Sequence, residues 1–364
     1  MIAAAELFLR RVRNRISRTA WAIRHFKLSR GTGPRSRPGL VLIQVDGLSH
    51  GEMQRALARN RLPFLNHLIN RQTYRVHRTY AGLPSSTPAV QAELFYGVRH
   101  AVPAFCYFDK EAGRIFSMFE GDDARELQAR LETSGEPLLK NGSVYADIFT
   151  GGAAEAHFCM TQRGWPAVIR TASPPALALL SFLHVVSVLR IVVLLVVELG
   201  LALVDTIRGL IARENLWGEL KFIPSRVAVC VLMREIVVVR SAMDLMRGLP
   251  IVHMNFLAYD EQSHRRGPDS RFAHWSLKGI DGAIRRVYKA AARSMMRDYD
   301  VWIYSDHGQG AFTPYPQMHG ETVHEAISRV FDKTVGQHAG DRDGVQLRRA
   351  RMLSRKRHRP ETQP

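Results

Sequence analysis

Three short apolar runs, each leading into an acid, constrain this chain more than any other feature. LVLIQV (Leu40 to Val45) runs into Asp46-Gly47, PIVHMNFL (Pro250 to Leu257) is followed by Asp260 and His264, and VWIY (Val301 to Tyr304) runs into Asp306-His307. Runs of this length, rich in β-branched and large apolar residues, suit strands buried on both faces. Between the second and third, Phe272 to Arg297 is amphipathic and free of proline, as a helix covering a sheet should be. Strands separated by helices predict an α/β fold with a mostly parallel central sheet flanked by helices. At 364 residues and 46% hydrophobic, the chain can bury one large core and carry an insertion.

Ligands of an open α/β sheet bind beyond the carboxyl ends of its strands, so acids and imidazoles arriving there from separate strands can meet in one crevice. A single acid in such a place more often forms a turn or caps a helix. Its recurrence at three strand ends is the informative observation. Converging carboxylates repel one another unless a divalent cation lies among them, and a mixed Asp/His set suits zinc or manganese better than magnesium or calcium. The three cysteines, Cys106, Cys159 and Cys230, form no CxxC pair. Neither a disulfide framework nor a thiolate zinc site is therefore expected.

A cation cluster still needs a group that attacks substrate. In AGLPSSTPAVQAELFYG, residues 81 to 97, Thr87 follows a Ser-Ser loop and precedes Pro88. Proline is favoured in the first helical turn, so the Thr87 hydroxyl is placed at a helix N-terminus, where free N–H groups and the dipole favour negative charge. An ordinary N-cap has the same sequence signature. Ser86 and, after it, Ser85 are the other hydroxyls available.

Asp46-Gly47, the SSTPAVQAELFYG stretch, the DxxxH of YDEQSHRRGP and the SDHG of residues 305 to 308 stand in the order and rough spacing of the alkaline phosphatase superfamily. The chain most resembles its type I phosphodiesterase/nucleotide pyrophosphatase branch, over most of residues 40 to 325. Members place the nucleophile ten residues before the glycine that closes the following helix, and ten before Gly97 is Thr87. The resemblance implies two divalent cations, zinc or else manganese. One is held by Asp46, Thr87, Asp306 and His307, the other by Asp260, His264 and a downstream histidine. His319 is taken for that last ligand, with His324 and His338 as alternatives. It implies a metal-dependent phosphoric ester hydrolase acting through a phosphothreonine on Thr87. Two other readings stay open: a membrane-associated transferase of phosphoryl head groups, and a catalytically silent membrane scaffold of the same fold. Asn66, Tyr107 and Asp109 are candidates to line the substrate pocket.

Outside that region the organisation is set by charge and hydropathy. The formal net charge is +18, and residues 1 to 38 hold ten Lys/Arg against Glu6 alone, interleaved with apolar residues at roughly helical spacing. Such a segment resembles an interfacial amphipathic helix more than a secretory signal. Residues 39–170 form the first part of the catalytic domain and 246–335 the second. Residues 171–245 form an apolar helical insertion, in which His184, Arg190, Glu198 and Asp205 interrupt every long apolar window. No clean spanning helix is present, but spanning stays open; the insertion is expected to associate with a membrane, the other reading being a long buried or oligomerising helix pair. VAVCVLMREIVVV, Val227 to Val239, reads as a core or membrane-surface helix. Residues 336–364 are a basic tail. Together these features point to a membrane-surface partner, a phosphoester substrate that is lipid-linked or a nucleotide, and attachment to the inner membrane on its cytoplasmic side. Specific nucleic-acid binding is not expected, since no recognition helix or RNP-like motif is present.

Overall fold

The computed structural model describes residues 17–25, 28–31, 37–162, 185–211, 228–313 and 315–331. The expected basic tail, most of the N-terminal segment, the parts of the insertion at 171–184 and 212–227, and His338 lie outside them. Within them the protein is α/β. Five strands form one sheet in the order β5-β4-β6-β1-β7: β1 (Gly39–Val45), β4 (Ser143–Tyr145), β5 (Glu155–His157), β6 (Ile251–Phe256) and β7 (Tyr299–Tyr304). Every neighbouring pair is parallel. A separate antiparallel hairpin pairs β2 (Cys106–Asp109) with β3 (Arg114–Ser117).

The expected runs all fall on strands, and the two central ones show why they are so apolar. β1 lies between β6 and β7, with Val41 opposite both Val252 and Val301. Val41, Ile43 and Val45 enter one hydrophobic cluster with Val252, Met254 and Phe256, while Leu40 and Leu42 face a second cluster. This alternation is the period-two geometry of a strand covered on both sides. The first cluster is closed by the long helix predicted near Phe272, observed as Arg271–Ala292. Its Ala273, Leu277, Ile280, Ile284, Val287 and Ala291 recur at helical spacing, and Ser270 caps it by accepting the Ala273 N–H.

Helices are numbered in chain order: α1 (Arg18–His25), α2 (His50–Ala58), α3 (Pro63–Asn70), α4 (Thr87–Tyr96), α5 (Gly121–Ser134), α6 (Val185–Ile211), α7 (Arg234–Arg247), α8 (Ala258–Arg266), α9 (Arg271–Ala292), α10 (Tyr315–His319) and α11 (Val323–Phe331). The Val227-to-Val239 stretch is a core element: one π-helical turn, Ala228–Met233, leads into α7, whose Val237, Val238 and Leu245 are buried in the first cluster. Two buried ion-pair groups fix α7. Arg247 meets Asp244 at 2.9 Å and binds Glu155 of β5 through both guanidinium nitrogens, and Glu235 takes both Arg286 nitrogens at 2.6 Å.

The expected apolar insertion contains α6, 27 residues long. Among the described residues no helix is long and apolar enough to cross a membrane. Length is not what α6 lacks. Arg190, Glu198 and Asp205 leave uncharged runs of only seven and six residues between them, far short of the roughly 18 that a clean span needs.

Candidate functional site

On the sheet face opposite α9, the side chains become polar toward the carboxyl ends. Along β1 that face reads Leu40, Leu42, Gln44 and then Asp46; along β6 it reads Ile251, His253 and Asn255. Gln44, Asp46, His253 and Asn255 are all buried. Helix α4 covers this face, packing Ala92 and Phe95 into the second cluster. Its start is as expected: Ser86 is the extended N-cap residue, Pro88 lies in the first turn, and Gly97 closes the helix in the left-handed region at φ 72°. Buried Thr87 thus stands at the N-terminus of α4, directly over the polar strand ends.

The acids that end the three strand runs meet there. Thr87 Oγ1 donates its hydrogen to Asp46 Oδ1 at 3.3 Å, and Thr87 Oγ1 also lies 3.2 Å from His307 Nε2. His307 Nε2 is 3.6 Å from Asp46 Oδ1 and 3.7 Å from Asp306 Oδ2. Asp306 Oδ1 accepts the Gly47 N–H at 3.3 Å. Asp260, in the first turn of α8, contacts His264 Nε2 at 3.3 Å. One ligand atom each from Asp46, Asp260 and His307 lies within 4.8 Å of the others.

Gly47 explains why an acid-glycine pair ends β1. Its φ is 70°, and a Cβ there would lie 2.3 Å from Asp260 Oδ1. Only a residue without a side chain lets the Asp260 carboxylate approach the loop that carries Asp46. The loops after β1 and β7 are also tied together, by Leu48 N–H donating to Ser305 Oγ at 3.0 Å while Ser305 donates to the His307 carbonyl at 2.7 Å.

Electrostatics show how crowded the negative charge is. Burial, reinforced by the facing carboxylates of Asp46 and Asp260, pushes the Asp306 carboxyl well above the usual carboxylate range, against the opposing pull of His307 and the Gly47 N–H. Burial acts the same way on Asp260. There the hydrogen bond from His264 and the charges of His264 and His307 outweigh it, and the carboxyl falls below its ordinary value. His264 rises in turn through its hydrogen bond to Asp260. Asp306 Oδ2 is buried yet accepts no hydrogen bond among the described residues. A carboxylate oxygen left over in this way, beside two further acids and an imidazole, is what a divalent cation satisfies. The donor set around Asp46, Asp306, His307 and Thr87 therefore fits the cation that the resemblance implies.

The second set is less complete. Asp260 and His264 are together, but His319 is exposed at the end of α10, its ring 4.3 Å from that of Tyr315. No contact among the described residues joins His319 to the cluster, and His324 sits one helix further on, in α11. The Ser86 hydroxyl is buried beside Thr87 without a hydrogen-bond partner among the described residues. Of the candidate pocket residues, Asp109 serves the β2-β3 hairpin, where it accepts the Ala112 N–H and binds Arg130.

Three site residues are not evident from the strand-end acids alone. Asn255 donates to Asp46 Oδ2 at 2.9 Å, Gln309 donates to Asp260 Oδ1, and Gln91 lies one turn after Thr87 on α4. Gln91 donates to Asp147 Oδ1 at 2.6 Å; Asp147 Oδ2 is 2.6 Å from His253 Nδ1, and His253 Nε2 is 2.7 Å from the Tyr304 hydroxyl, which reaches Gln44 at 3.1 Å. This buried chain fastens α4 to β1, β6 and β7. Its signal in the sequence is the spacing of Gln44 with Asp46, and of His253 with Asn255: polar residues two apart in otherwise apolar strands share a face. Comparison with protein-family models and with curated proteins found no match.

Proposed function

We propose that this protein is a metal-dependent hydrolase of phosphoric esters, with an alkaline phosphatase-like fold that carries residues 171–245 as an insertion, and with Thr87 as its nucleophile. The observation that supports this reading is the gathering of Asp46, Asp306 and His307 around a threonine hydroxyl at a helix N-terminus, with Asp260 alongside. Asp46, Thr87, Asp306 and His307 would hold one zinc or manganese ion. Asp260 and His264 would hold a second, with His319 proposed as its remaining ligand. Bound there, the ions would supply positive charge for the phosphoryl oxygens and for an ionised Thr87 hydroxyl.

The chain's own groups supply orientation and field. Asp46 Oδ1 and His307 Nε2 fix the direction of the Thr87 Oγ1–H bond. Thr87 stands in the first turn of α4, where the helix dipole favours negative charge on its oxygen. The Gln91–Asp147–His253 chain holds α4 in place, so attack requires little rearrangement. Thr87 Oγ1 forms a bond to phosphorus as the bond to the ester oxygen breaks; the proton that the hydroxyl gives up is balanced by the one the departing oxygen gains to leave as an alcohol, and water then splits the phosphothreonine, restoring the hydroxyl and releasing the phosphoryl group.

The test is hydrolysis of a chromogenic phosphodiester and the matching monoester, with and without chelator, by the wild type and by Thr87→Ala. The expected outcome is diester cleavage that chelation abolishes and that the substitution lowers by at least about a hundredfold. Undiminished activity in Thr87→Ala would remove Thr87 as nucleophile and shift the role to its neighbour Ser86.

A further inference from the structure

The strongest feature outside the site is the outer face of α6. Val186, Leu189, Val193, Val196, Leu199 and Leu203 are each between 50% and 66% exposed, and Val185, Val192, Val197 and Val204 are also exposed. At about 100° per residue, these ten side chains fall within one arc of about 160°. The opposite side is anchored, because Ile191, Leu194 and Leu195 pack against the first hydrophobic cluster. A contiguous apolar face of this size on a protein surface marks an interaction site.

Three observations identify the occupant. First, the exposed face is aliphatic throughout and lacks the Trp, Tyr, Arg and Met that concentrate in protein–protein interfaces. Second, the sequence on either side of that face, residues 163–184 and 205–227, carries six Lys/Arg against Asp205, Glu214 and Glu219, together with Trp165 and Trp217. Basic residues and tryptophans flanking an apolar stretch complement an anionic bilayer surface. Third, the overall charge of +18 opposes close association of two copies and favours an acidic partner. The anchored face also fixes the orientation. A helix whose middle, Ile191 to Leu195, is packed on a folded domain cannot have that middle at the centre of a bilayer, so α6 must lie in the plane of the interface.

We propose that the outer face of α6 docks this protein onto an anionic lipid bilayer, with the helix parallel to the membrane surface. The proposal does not depend on the chemistry of the site, though it bears on it. α6 packs against the π-helical turn Ala228–Met233. The end of that turn, at Met233, adjoins Asn255 to Ala258, where β6 passes into the helix carrying Asp260. The docking face is thus mounted at the end of the sheet that holds the acids.

The full chain is sedimented with vesicles of phosphatidylglycerol and phosphatidylcholine in equal parts, and with vesicles of phosphatidylcholine alone. The comparison uses the wild type and the double variant Val193→Glu/Val196→Glu, whose sites are exposed; a circular dichroism melt confirms its fold. The expected result is partitioning onto the anionic vesicles that the double variant lowers by about tenfold or more, since two charges replace apolar side chains at the interface. A single variant, Leu189→Glu, should show a smaller loss. The proposal is overturned if the wild type binds neither vesicle. It is equally overturned if the folded double variant binds as well as the wild type, which would assign binding to the basic segments alone. Self-association in solution that the double variant abolishes, without vesicle binding by the wild type, would assign the face to a second copy and also overturn it.

Discussion

Replacing Gly47 with alanine tests the site at its tightest point. The added Cβ would stand 2.3 Å from Asp260 Oδ1, where ordinary contact begins at 3.4 Å, so the carboxylate must retreat by about 1 Å. Ligand distances in a cation site tolerate about 0.2 Å. Asp260 would therefore leave the group it forms with Asp46 and His307. We expect zinc affinity to fall about a hundredfold, equivalent to about 2.7 kcal/mol. The fold should lose less. A non-glycine residue at φ 70° costs about 1–2 kcal/mol, which is within reach of a urea melt on metal-free protein. Zinc affinity is measured by competition with a chromogenic chelator. Gly51→Ala, in α2, is the control, because a Cβ there meets nothing within 4 Å and should leave affinity unchanged. A folded Gly47→Ala protein that binds zinc within about threefold of the wild type would refute the claim that these acids form one cation site.

The remaining predictions concern the supports of the site and of α7. His253→Phe removes the imidazole that faces buried Asp147 in the chain below Thr87 and should cost about 3 kcal/mol in a denaturant melt; adding Asp147→Asn should recover part of that loss, whereas strictly additive losses would deny the coupling. The Glu155 carboxyl, though raised by burial, is held below its ordinary value of 4.5 by His157 and Arg247, so its stabilising effect is complete above that value and is lost as pH falls through it and below. Glu155→Gln should then cost about 2–3 kcal/mol at pH 7, with a gap to the wild type that narrows under acid; a gap independent of pH would show that the ionised carboxylate is not what stabilises Arg247.

The sequence discloses the strands because hydropathy and chain order act locally. Leu40 to Val45 must be a strand buried on both sides, since no other short element hides six such residues, and the acid that follows it marks the carboxyl edge. The helix at Thr87 is equally local: Pro88 and Gly97 bracket it. What the sequence hides is pairing across distance. Nothing near Asp260 reveals that its carboxylate needs residue 47 to lack a side chain, because that demand arises only once β6 lies beside β1. Asn255 and His253 are hidden differently. In a strand read as uniformly apolar they pass as interruptions, yet their spacing of two puts them on the α4 face with Gln44 and Asp46. The downstream histidine shows where resemblance weakens as a guide. Chain order offers His319, but order carries no distance, and the structure leaves that ring beside Tyr315 on an exposed short helix.

The two halves of the cluster also differ in how they are held, and the difference bears on the chemistry. Asp46, Thr87, Asp306 and His307 stand at the ends of β1 and β7 and at the start of α4, all buried or nearly so and in contact with one another. Asp260 and His264 stand on α8, where His264 is 61% exposed, and Gln309 of the loop after β7 reaches Asp260. A rigid half and a solvent-facing half imply unequal affinity. The first set should retain its cation as chelator is raised, while the second releases it early. Activity should therefore fall in step with loss of the more weakly held ion if both ions serve the displacement at phosphorus.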